Sequence, residues 1–175
     1  QGPVTAAEAA KDLSMGLYRA ACAARVDGKV VDLRTVLDHD CALEILTFAD
    51  EDGQRAFNHT ASHILAQAVT HLYPEARFAI GPAIDNGFYY DFDLPAPFTT
   101  EDLVKLEKEM AAIVKADLPL EKFELDAAEA LELMKDQPYK EELIREHAGK
   151  GEKISFYRQG DFTDLCAGPH LMTTA

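Results

Sequence analysis

The chain has 175 residues, 47% of them hydrophobic, and carries 17 Lys and Arg against 31 Asp and Glu, a formal net charge of −14. This length allows one domain, or a small module followed by one domain, with a real hydrophobic core. No apolar run approaches the roughly 18 residues of a membrane span, so we expect neither a membrane-spanning segment nor a signal peptide. On charge alone a nucleic-acid partner is not expected, because neutralising phosphate groups requires local Lys and Arg.

The basic residues are concentrated in one stretch of the chain. Residues 140–158 contain five Lys and Arg against four Glu, a net +1, and subtracting this from −14 leaves −15 on the remainder. Any contact with nucleic acid is therefore expected to be local, or to rely on other parts of a longer protein. The cysteines, Cys22, Cys41 and Cys166, are too few for a disulfide framework and indicate a reducing, cytoplasmic location.

The first region is expected to form a small sheet crossed by one helix. The predicted elements are a helix from Thr5 to about Leu13 and strands at 23–26, 29–33 and 43–48. Thr5 and Glu8 have the spacing of a capping box, and Asp27-Gly28 is a two-residue hairpin signal. Gln1-Gly2-Pro3, without a starting Met, is interpreted as a cut end or a cloning remnant. Asp50-Glu-Asp-Gly53 is interpreted as an acidic turn and a domain boundary.

The second region alternates helices with short strands. The predicted helices are 55–72, one opened by Thr99-x-x-Asp102, 126–135 and 138–147, and the predicted strands are 77–84, 88–93, 120–125, 154–158 and 162–166. Asp85-Asn-Gly87 and Gln159-Gly160 are expected to be turns, while Gly149 and Gly151 end a helix. The helix after Thr99 is expected to bury one apolar side, formed by Leu103, Leu106, Met110, Ile113 and Val114.

The most informative stretch is Asn58-His-Thr-Ala-Ser-His63, with two imidazoles four residues apart. On a helix this spacing places His59 and His63 on one face. The helix's own apolar stripe falls on the other side and consists of Ala61, Ile64, Leu65, Ala68 and Leu72. The histidines are therefore expected to face away from it, with small residues and open space in front of them. Thr60 and Ser62 are interpreted as helix filler, since no GxSxG pattern marks Ser62 as a nucleophile.

A second motif, Asp164-Leu-Cys-Ala-Gly-Pro-His170, adds a thiol and a third imidazole about a hundred residues later. The donor set His59, His63, Cys166 and His170 suits a tetrahedral zinc ion. HxxxH lacks the adjacent Glu of HExxH, so it is not a metalloprotease signature. The alternative is a metal-free hydrolytic pocket, in which histidines and a lysine position a water on a polarised ester. The residues by themselves leave both readings open.

Three further residues are candidates for this pocket. Lys140 lies two residues after Pro138 at a helix start, where N–H groups and the positive end of the helix dipole are close; a solvated surface lysine is the alternative. Asp164 points to the same side of its strand as Cys166, and is expected to orient a histidine or to bind a substrate ammonium. In Gly87-Phe-Tyr-Tyr-Asp91 one tyrosine is expected in the core and the other at the surface, with the Tyr90 hydroxyl lining the cleft.

Four ordered motifs, at residues 58–63, 80–91, 138–140 and 164–170, make the chain resemble the bacterial threonyl-tRNA synthetases. The likeness covers nearly the whole chain and is to the N-terminal region of those enzymes, ahead of the aminoacylation core. It implies an α+β fold with two parts. Residues 1–47 would be a ubiquitin-like β-grasp (TGS-like) module lacking its first strand or two. Residues 48–175 would be an editing domain of the alanyl/threonyl type, an antiparallel sheet packed with long helices, stopping before its last helix and strands.

The resemblance implies that the chain is an aminoacyl-tRNA deacylase, which hydrolyses the ester of mischarged Ser-tRNA(Thr) with an activated water. Serine lacks one methyl group of threonine, and such a difference changes binding by only about 1–3 kcal/mol, so a second, hydrolytic site is needed. By motif, Tyr90 and Cys166 would bind substrate, and the catalytic set would be His59, His63, Lys140, Asp164 and His170. Lys140 with His59 or His170 would deprotonate the water, and Asp164 with Cys166 would hold the seryl ammonium or hydroxyl.

The resemblance also implies cofactors and partners. No cofactor is expected for editing, because the zinc and Mg-ATP of these enzymes belong to an aminoacylation domain that has no counterpart here. Zinc on the histidine and cysteine quartet, as in alanyl-type relatives, is the less favoured alternative. The implied partners are the serine-charged acceptor end of tRNA(Thr) and the remainder of the synthetase, a homodimer when full-length. Two other functions stay open: a non-catalytic module that binds the tRNA acceptor, and a zinc-dependent alanyl-type editing hydrolase.

Overall fold

The computed structural model describes residues 3–149 and 153–175 and has the predicted α+β architecture. The helices are α1 (Ala6–Leu13), α2 (Met15–Ala20), α3 (Glu51–Leu72), α4 (Thr100–Lys115), α5 (Ala127–Leu133) and α6 (Pro138–Ala148). The strands are β1 (Val4–Thr5), β2 (Ala21–Val26), β3 (Lys29–Val31), β4 (Val36–Leu37), β5 (Leu43–Thr47), β6 (Arg77–Phe78), β7 (Ala83–Ile84), β8 (Gly87–Phe88), β9 (Phe92–Asp93), β10 (Leu120–Leu125), β11 (Ile154–Gln159) and β12 (Phe162–Leu165). The interpretations of Gln1-Gly2 and Gly151 lie outside the described residues.

Contacts between residues group the chain into two units. The first consists of Gln1–Ala61, Ala83–Phe88 and Gly168–Met172, and the second of Ser62–Pro82, Tyr89–Ala167 and Thr173–Ala175. Helix α3 contributes to both. The boundary inferred from the sequence, after residue 47, stays a prediction.

The first unit contains the antiparallel sheet β3-β2-β5. The predicted hairpin between β2 and β3 is confirmed, and its turn residues have left-handed backbones, with φ of 48° at Asp27 and 83° at Gly28. The capping box is also confirmed: Thr5 Oγ1 accepts from the backbone N–H of Glu8, whose carboxylate accepts from the Thr5 N–H. The short elements β1, α2 and β4 were not predicted, because two to six residues carry little periodicity.

Helix α3 begins four residues earlier than predicted, so the interpretation of residues 50–53 as a turn is wrong. Glu51 and Asp52 form its acidic first turn, which the helix dipole favours. Gly53 lies in this first part of α3, and a Cβ there would lie 1.9 Å from the carbonyl oxygen of Thr47, so the close approach of the two backbones excludes a side chain at this position. The predicted apolar stripe is also only partly right, since Ile64 is buried whereas Leu72 is 36% exposed.

The second unit contains the antiparallel sheet β10-β11-β12. Phe123 of β10 and Phe156 of β11 lie opposite each other in the sheet and stack with a ring-centroid distance of 5.5 Å. The predicted turn after β11 is shifted by one residue, because Gln159 still pairs with Phe162 and Gly160 takes the left-handed backbone, φ 57°. The predicted strands at 77–84 and 88–93 are each divided into two short strands: β6 pairs with β9 in this unit, and β7 pairs with β8 in the first unit.

Helix α4 is capped as predicted, by Thr99 with Asp102. Its apolar side is narrower than predicted: Leu106 and Ile113 are buried, while Leu103 and Val114 are exposed.

His71 of α3 contacts two carboxylates, Glu109 of α4 at 2.6 Å and Asp161 at 3.0 Å. Partial burial alone would lower the pKa of His71, but the hydrogen bonds and charges of these two carboxylates raise it above its ordinary value. The contact between His71 and Glu109 therefore joins α3 to α4 most strongly when His71 is protonated.

Within the described residues, the structure contains no helix that is long and apolar enough to cross a membrane.

Candidate functional site

A buried polar network in the second unit joins three of the predicted site residues. The Tyr90 hydroxyl donates to Asp164 Oδ2 at 2.5 Å, and Lys140 Nζ lies 2.8 Å from Asp164 Oδ1 and donates to the Tyr90 oxygen at 3.1 Å. Lys140 and Asp164 are each 4% exposed. The sequence-based alternative of a solvated surface Lys140 is therefore wrong.

Local structure explains why these side chains converge. Pro138 begins α6, and Lys140 lies in the first turn on the same buried side as Ile144. Along β12 the buried residues Phe162 and Asp164 alternate with partly buried ones, which places the Asp164 side chain on the more deeply buried face. Tyr90 is buried and Tyr89 is 44% exposed, as predicted for this aromatic pair.

Close packing also holds the Tyr90 ring. A Cβ on Gly81 would lie 2.1 Å from Tyr90 Cδ2, so the ring packs directly on the backbone at this position. On its other side the ring stacks on Phe92 with a centroid distance of 4.8 Å. The hydroxyl is therefore presented to Asp164 by a ring with little freedom to move.

Burial and pairing act in opposite directions on the pKa of Asp164 but in the same direction on that of Tyr90. Burial would raise the pKa of Asp164, but the charges of Lys140 and His63 and the hydrogen bonds of Lys140 and Tyr90 hold it below its ordinary value. Burial, followed by the Asp164 carboxylate, raises the pKa of Tyr90 far above its ordinary value. At neutral pH the network thus contains an ionised carboxylate and a neutral phenol that donates its proton.

His63 and Cys166 belong to the same unit as this network. His63 Nε2 lies 3.7 Å from Asp164 Oδ2, and the side chain is 3% exposed. Cys166 directly follows β12, where its backbone N–H donates to the Ser155 carbonyl at 3.0 Å. The ligand atoms of His63 and Cys166 lie within 4.8 Å of one another.

The first unit holds the other two histidines. The rings of His59 and His170 stack with a centroid distance of 4.2 Å, and His170 is fully buried. Nδ1 of His170 lies 3.0 Å from the Thr60 hydroxyl, which also receives the Leu171 N–H at 3.0 Å. Thr60 thus has a structural role at the site, and its interpretation as helix filler is wrong.

The contacts of Thr60 favour one tautomer of His170. The hydroxyl donates its hydrogen to the Ala56 carbonyl at 3.0 Å. A hydroxyl has one hydrogen and two lone pairs, so all three contacts are satisfied together when Nδ1 of His170 carries the hydrogen and donates to Thr60. Nε2 then keeps its lone pair, which is what a general base or a metal ligand requires.

Ser62, the other residue interpreted as filler, is fully buried and donates to the Gly81 carbonyl at 2.9 Å. It therefore fixes the backbone of Gly81, on which Tyr90 packs. The sequence signal that could have indicated both roles is the run of small polar residues between the histidines, which a buried helix tolerates only when each hydroxyl has a partner.

The donor atoms are of the types that bind zinc. Zinc bonds of about 2.0–2.3 Å to imidazole nitrogen and thiolate place neighbouring ligand atoms roughly 3.3–3.8 Å apart. The pair His63 and Cys166, and separately the pair His59 and His170, each lie within 4.8 Å. Both pairs therefore fit zinc after small side-chain movements. The expectation that no metal is needed stays a prediction.

Two cavities in the second unit adjoin the predicted residues. One of about 290 Å³ has Lys140 and Asp164 in its wall. The other, of about 350 Å³, reaches Cys166 and is lined by apolar side chains such as Leu143 and by the cationic Lys153. Space for a small substrate group is thus present beside both Asp164 and Cys166.

Comparison with known proteins identifies a domain family for the N-terminal part of the chain. Residues 2–47 match the family model of the TGS domain, a ubiquitin-like β-grasp fold, which confirms the β-grasp module inferred from the sequence.

The whole chain then has a more particular counterpart. It is 56% identical over 173 residues to the threonine–tRNA ligase of Acetivibrio thermocellus, an alignment covering 98% of this chain and 27% of the relative. It is 59% identical over 164 residues to that of Clostridium tetani, covering 93% and 26%, and 54% identical over 177 residues to that of Clostridium acetobutylicum, covering 100% and 28%. The chain spans about a quarter of the length of these relatives and is similar to their N-terminal region, as the motifs predicted.

Proposed function

We propose that this chain acts within a threonine–tRNA ligase as its proofreading part, hydrolysing the ester of mischarged Ser-tRNA(Thr). The relatives are named as ligases of threonine and tRNA, which supports a role associated with a tRNA synthetase. A synthetase that must reject serine cannot do so by binding alone, because a missing methyl group changes binding by only about 1–3 kcal/mol. A hydrolytic site outside the aminoacylation centre overcomes this limit.

The observation that carries the proposal is the buried network of Lys140, Asp164 and Tyr90. An ammonium has three N–H groups, and two of those on Lys140 bond to Asp164 and Tyr90. Within residues 3–149 and 153–175 no acceptor bonds the third, which is available to a water or an ester oxygen. A cation held this rigidly stabilises negative charge that develops on the ester during hydrolysis.

The proposed division of roles follows from these contacts. Lys140 positions the water and stabilises the developing oxyanion, and His170 or His59 removes the proton from the water. His170 suits this role because Thr60 leaves the lone pair on its Nε2. Asp164 holds Lys140 in place, and with Cys166 it receives the seryl ammonium or hydroxyl. His59 and His63 are about one turn apart on α3, so both side chains project from the same face of that helix.

We further propose that hydrolysis does not depend on zinc. A zinc ion, if bound, would be held by the histidine and cysteine donors described above and would supply Lewis-acid polarisation of the ester. The acceptor end of tRNA(Thr) would be the partner, with the remainder of the synthetase, a homodimer in its full-length form, providing the main grip on the tRNA. This division fits the formal net charge of −14, which disfavours broad RNA binding by this part alone.

The test is deacylation of Ser-tRNA(Thr), with Thr-tRNA(Thr) as control, by the chain with and without a chelator. Selective release of serine that resists the chelator is expected. His59→Ala and Lys140→Ala should abolish release, while Lys135→Ala, which removes an exposed lysine of the same unit, should not. Chelator-sensitive release would establish the zinc-dependent alternative. Tight binding of the charged tRNA without release would support the non-catalytic acceptor-binding module instead.

A further inference from the structure

The segment Gly168–Met172, which carries His170, is held by the N-terminal module. It forms no helix or strand of its own, and it belongs to the first unit. Leu171 packs against the cluster of Cys22, Ala23, Leu46 and Ala56. Met172 packs against the cluster of Ala6, Ala7, Ala24 and Leu33. Leu171 and Met172, which are consecutive in the chain, thus pack against two different apolar clusters.

Arg34 holds the backbone of this segment. Its Nη2 donates to the carbonyl oxygens of Leu171 at 2.9 Å and Met172 at 3.3 Å, and its Nη1 to that of His170 at 3.4 Å. The guanidinium is planar and presents its donors in a fixed fork, so bonding to three successive carbonyls restricts the path of the chain. A lysine ammonium on a flexible stem does not offer this geometry.

Asp32 completes the arrangement from the other side of the same residues. Its Oδ2 accepts the His170 N–H at 3.3 Å, and its Oδ1 accepts from the backbone N–H of Arg34 at 2.8 Å and from Arg34 Nη1 at 2.9 Å. Asp32 is 5% exposed, and a buried carboxylate is retained only where its charge is compensated. Leu33, fully buried between the two, fixes both of them to the module.

We propose that Asp32 and Arg34 are positioning residues for His170, so that the TGS module fixes the backbone of a residue proposed to act as general base. They hold the backbone of His170 on both its N–H and its carbonyl, and Thr60 then orients the imidazole. The kinetic part of this inference rests on the proposed deacylase function, whereas the structural part stands without it. The module thereby has a role in the reaction although it supplies none of the reacting groups.

The experiment compares Arg34→Lys with Arg25→Lys in the full chain. Arg34→Lys keeps a positive charge beside Asp32 but loses the fork that reaches three carbonyls. Arg25→Lys is the matched control, because Arg25 lies in the same module and pairs with Glu44 and Asp52 but contacts nothing in the segment 168–172 among the described residues. The readouts are kcat and KM for Ser-tRNA(Thr) and amide hydrogen exchange at His170 and Leu171.

Arg34→Lys is expected to lower kcat about 10- to 100-fold, as small displacements of catalytic groups do, with KM changed by less than about threefold. Its His170 and Leu171 amides should exchange at least about tenfold faster, while amides of α4 keep their protection. Arg25→Lys should change neither. Equal kcat in the two variants, or a uniform rise in exchange over the whole chain, would overturn the inference. If the unmodified chain releases no serine, the proposed function fails, and the exchange arm still decides whether Arg34 positions His170.

Discussion

The ion pair of Lys140 and Asp164 makes a quantitative prediction about stability. Lys140→Met removes the ammonium, keeps an unbranched side chain of similar length, and leaves Asp164 buried without its cation. At 2.8 Å the attraction between two unit charges is about 6 kcal/mol for an effective dielectric constant near 20, before desolvation is subtracted. Removing one partner of a buried pair costs about 3–5 kcal/mol, which is the expected fall in the free energy of unfolding at neutral pH.

Urea denaturation followed by circular dichroism measures this loss, and a double-mutant cycle isolates the pair. Asp164→Asn should also destabilise, because it leaves Lys140 buried without a counter-charge. The double variant carries no buried charge at either position, so its loss should fall short of the sum of the single losses by about 1–3 kcal/mol. As control, Lys135→Met breaks an exposed pair with Glu132 and should cost less than about 1 kcal/mol.

The pH dependence of the free energy of unfolding tests the same ion pair independently. In the wild type the pKa of Asp164 is lowered by folding, so its stabilisation is present above the unfolded pKa of about 3.9 and is lost as the pH falls through the folded pKa. In Lys140→Met the main cause of the lowering is gone, and burial favours the protonated carboxyl. The difference in free energy of unfolding between the wild type and Lys140→Met should therefore decrease as the pH falls. The reasoning would be refuted if Lys140→Met lost less than about 1 kcal/mol at neutral pH. It would also be refuted if the loss of the double variant equalled the sum of the two single losses.

Three further outcomes follow from the contacts. Thr60→Val removes the hydroxyl bonded to His170 and should lower kcat for deacylation roughly tenfold or more with little change in KM; a normal kcat would show that the bond does not orient the base. Gly81→Ala places a Cβ 2.1 Å from Tyr90 and should destabilise the chain by about 1–3 kcal/mol in urea unfolding, so a wild-type midpoint would contradict the close packing. Because the pKa of His71 is raised on folding, its stabilisation is complete below about pH 6.5 and is lost as the pH rises through the folded pKa. The melting temperature of the wild type should therefore fall relative to that of His71→Asn over this range, and parallel profiles would contradict the carboxylate contacts of this histidine.

The amino-acid sequence alone predicted several local features and the candidate members of the site. Capping boxes at Thr5 and Thr99 and the Asp27-Gly28 turn involve groups at most three residues apart, so their energetics are decided within the motif itself. The HxxxH spacing likewise placed two imidazoles on one helix without knowledge of the rest of the chain.

The tertiary structure decided which groups pair and which are buried. The first turn of α3 brings Gly53 close to the backbone of Thr47, and no pattern in the acidic run itself indicates this contact. The burial of Lys140 depends on Asp164, and the orientation of His170 on Thr60, residues 24 and 110 positions away along the chain. Contacts at such separations are set by how the hydrophobic surfaces pack, which local propensity does not encode.

The same distinction applies to the N-terminal module. Its hairpin and capping box were predicted from local signals, because each is a short-range backbone preference, whereas its β-grasp fold was implied by the family resemblance. That Asp32 and Arg34 hold the segment of His170 is visible only in the folded chain, where a buried carboxylate and three backbone carbonyls must find partners. The sequence by itself determined which residues are available for chemistry, and packing together with the satisfaction of buried polar groups determined how they are arranged.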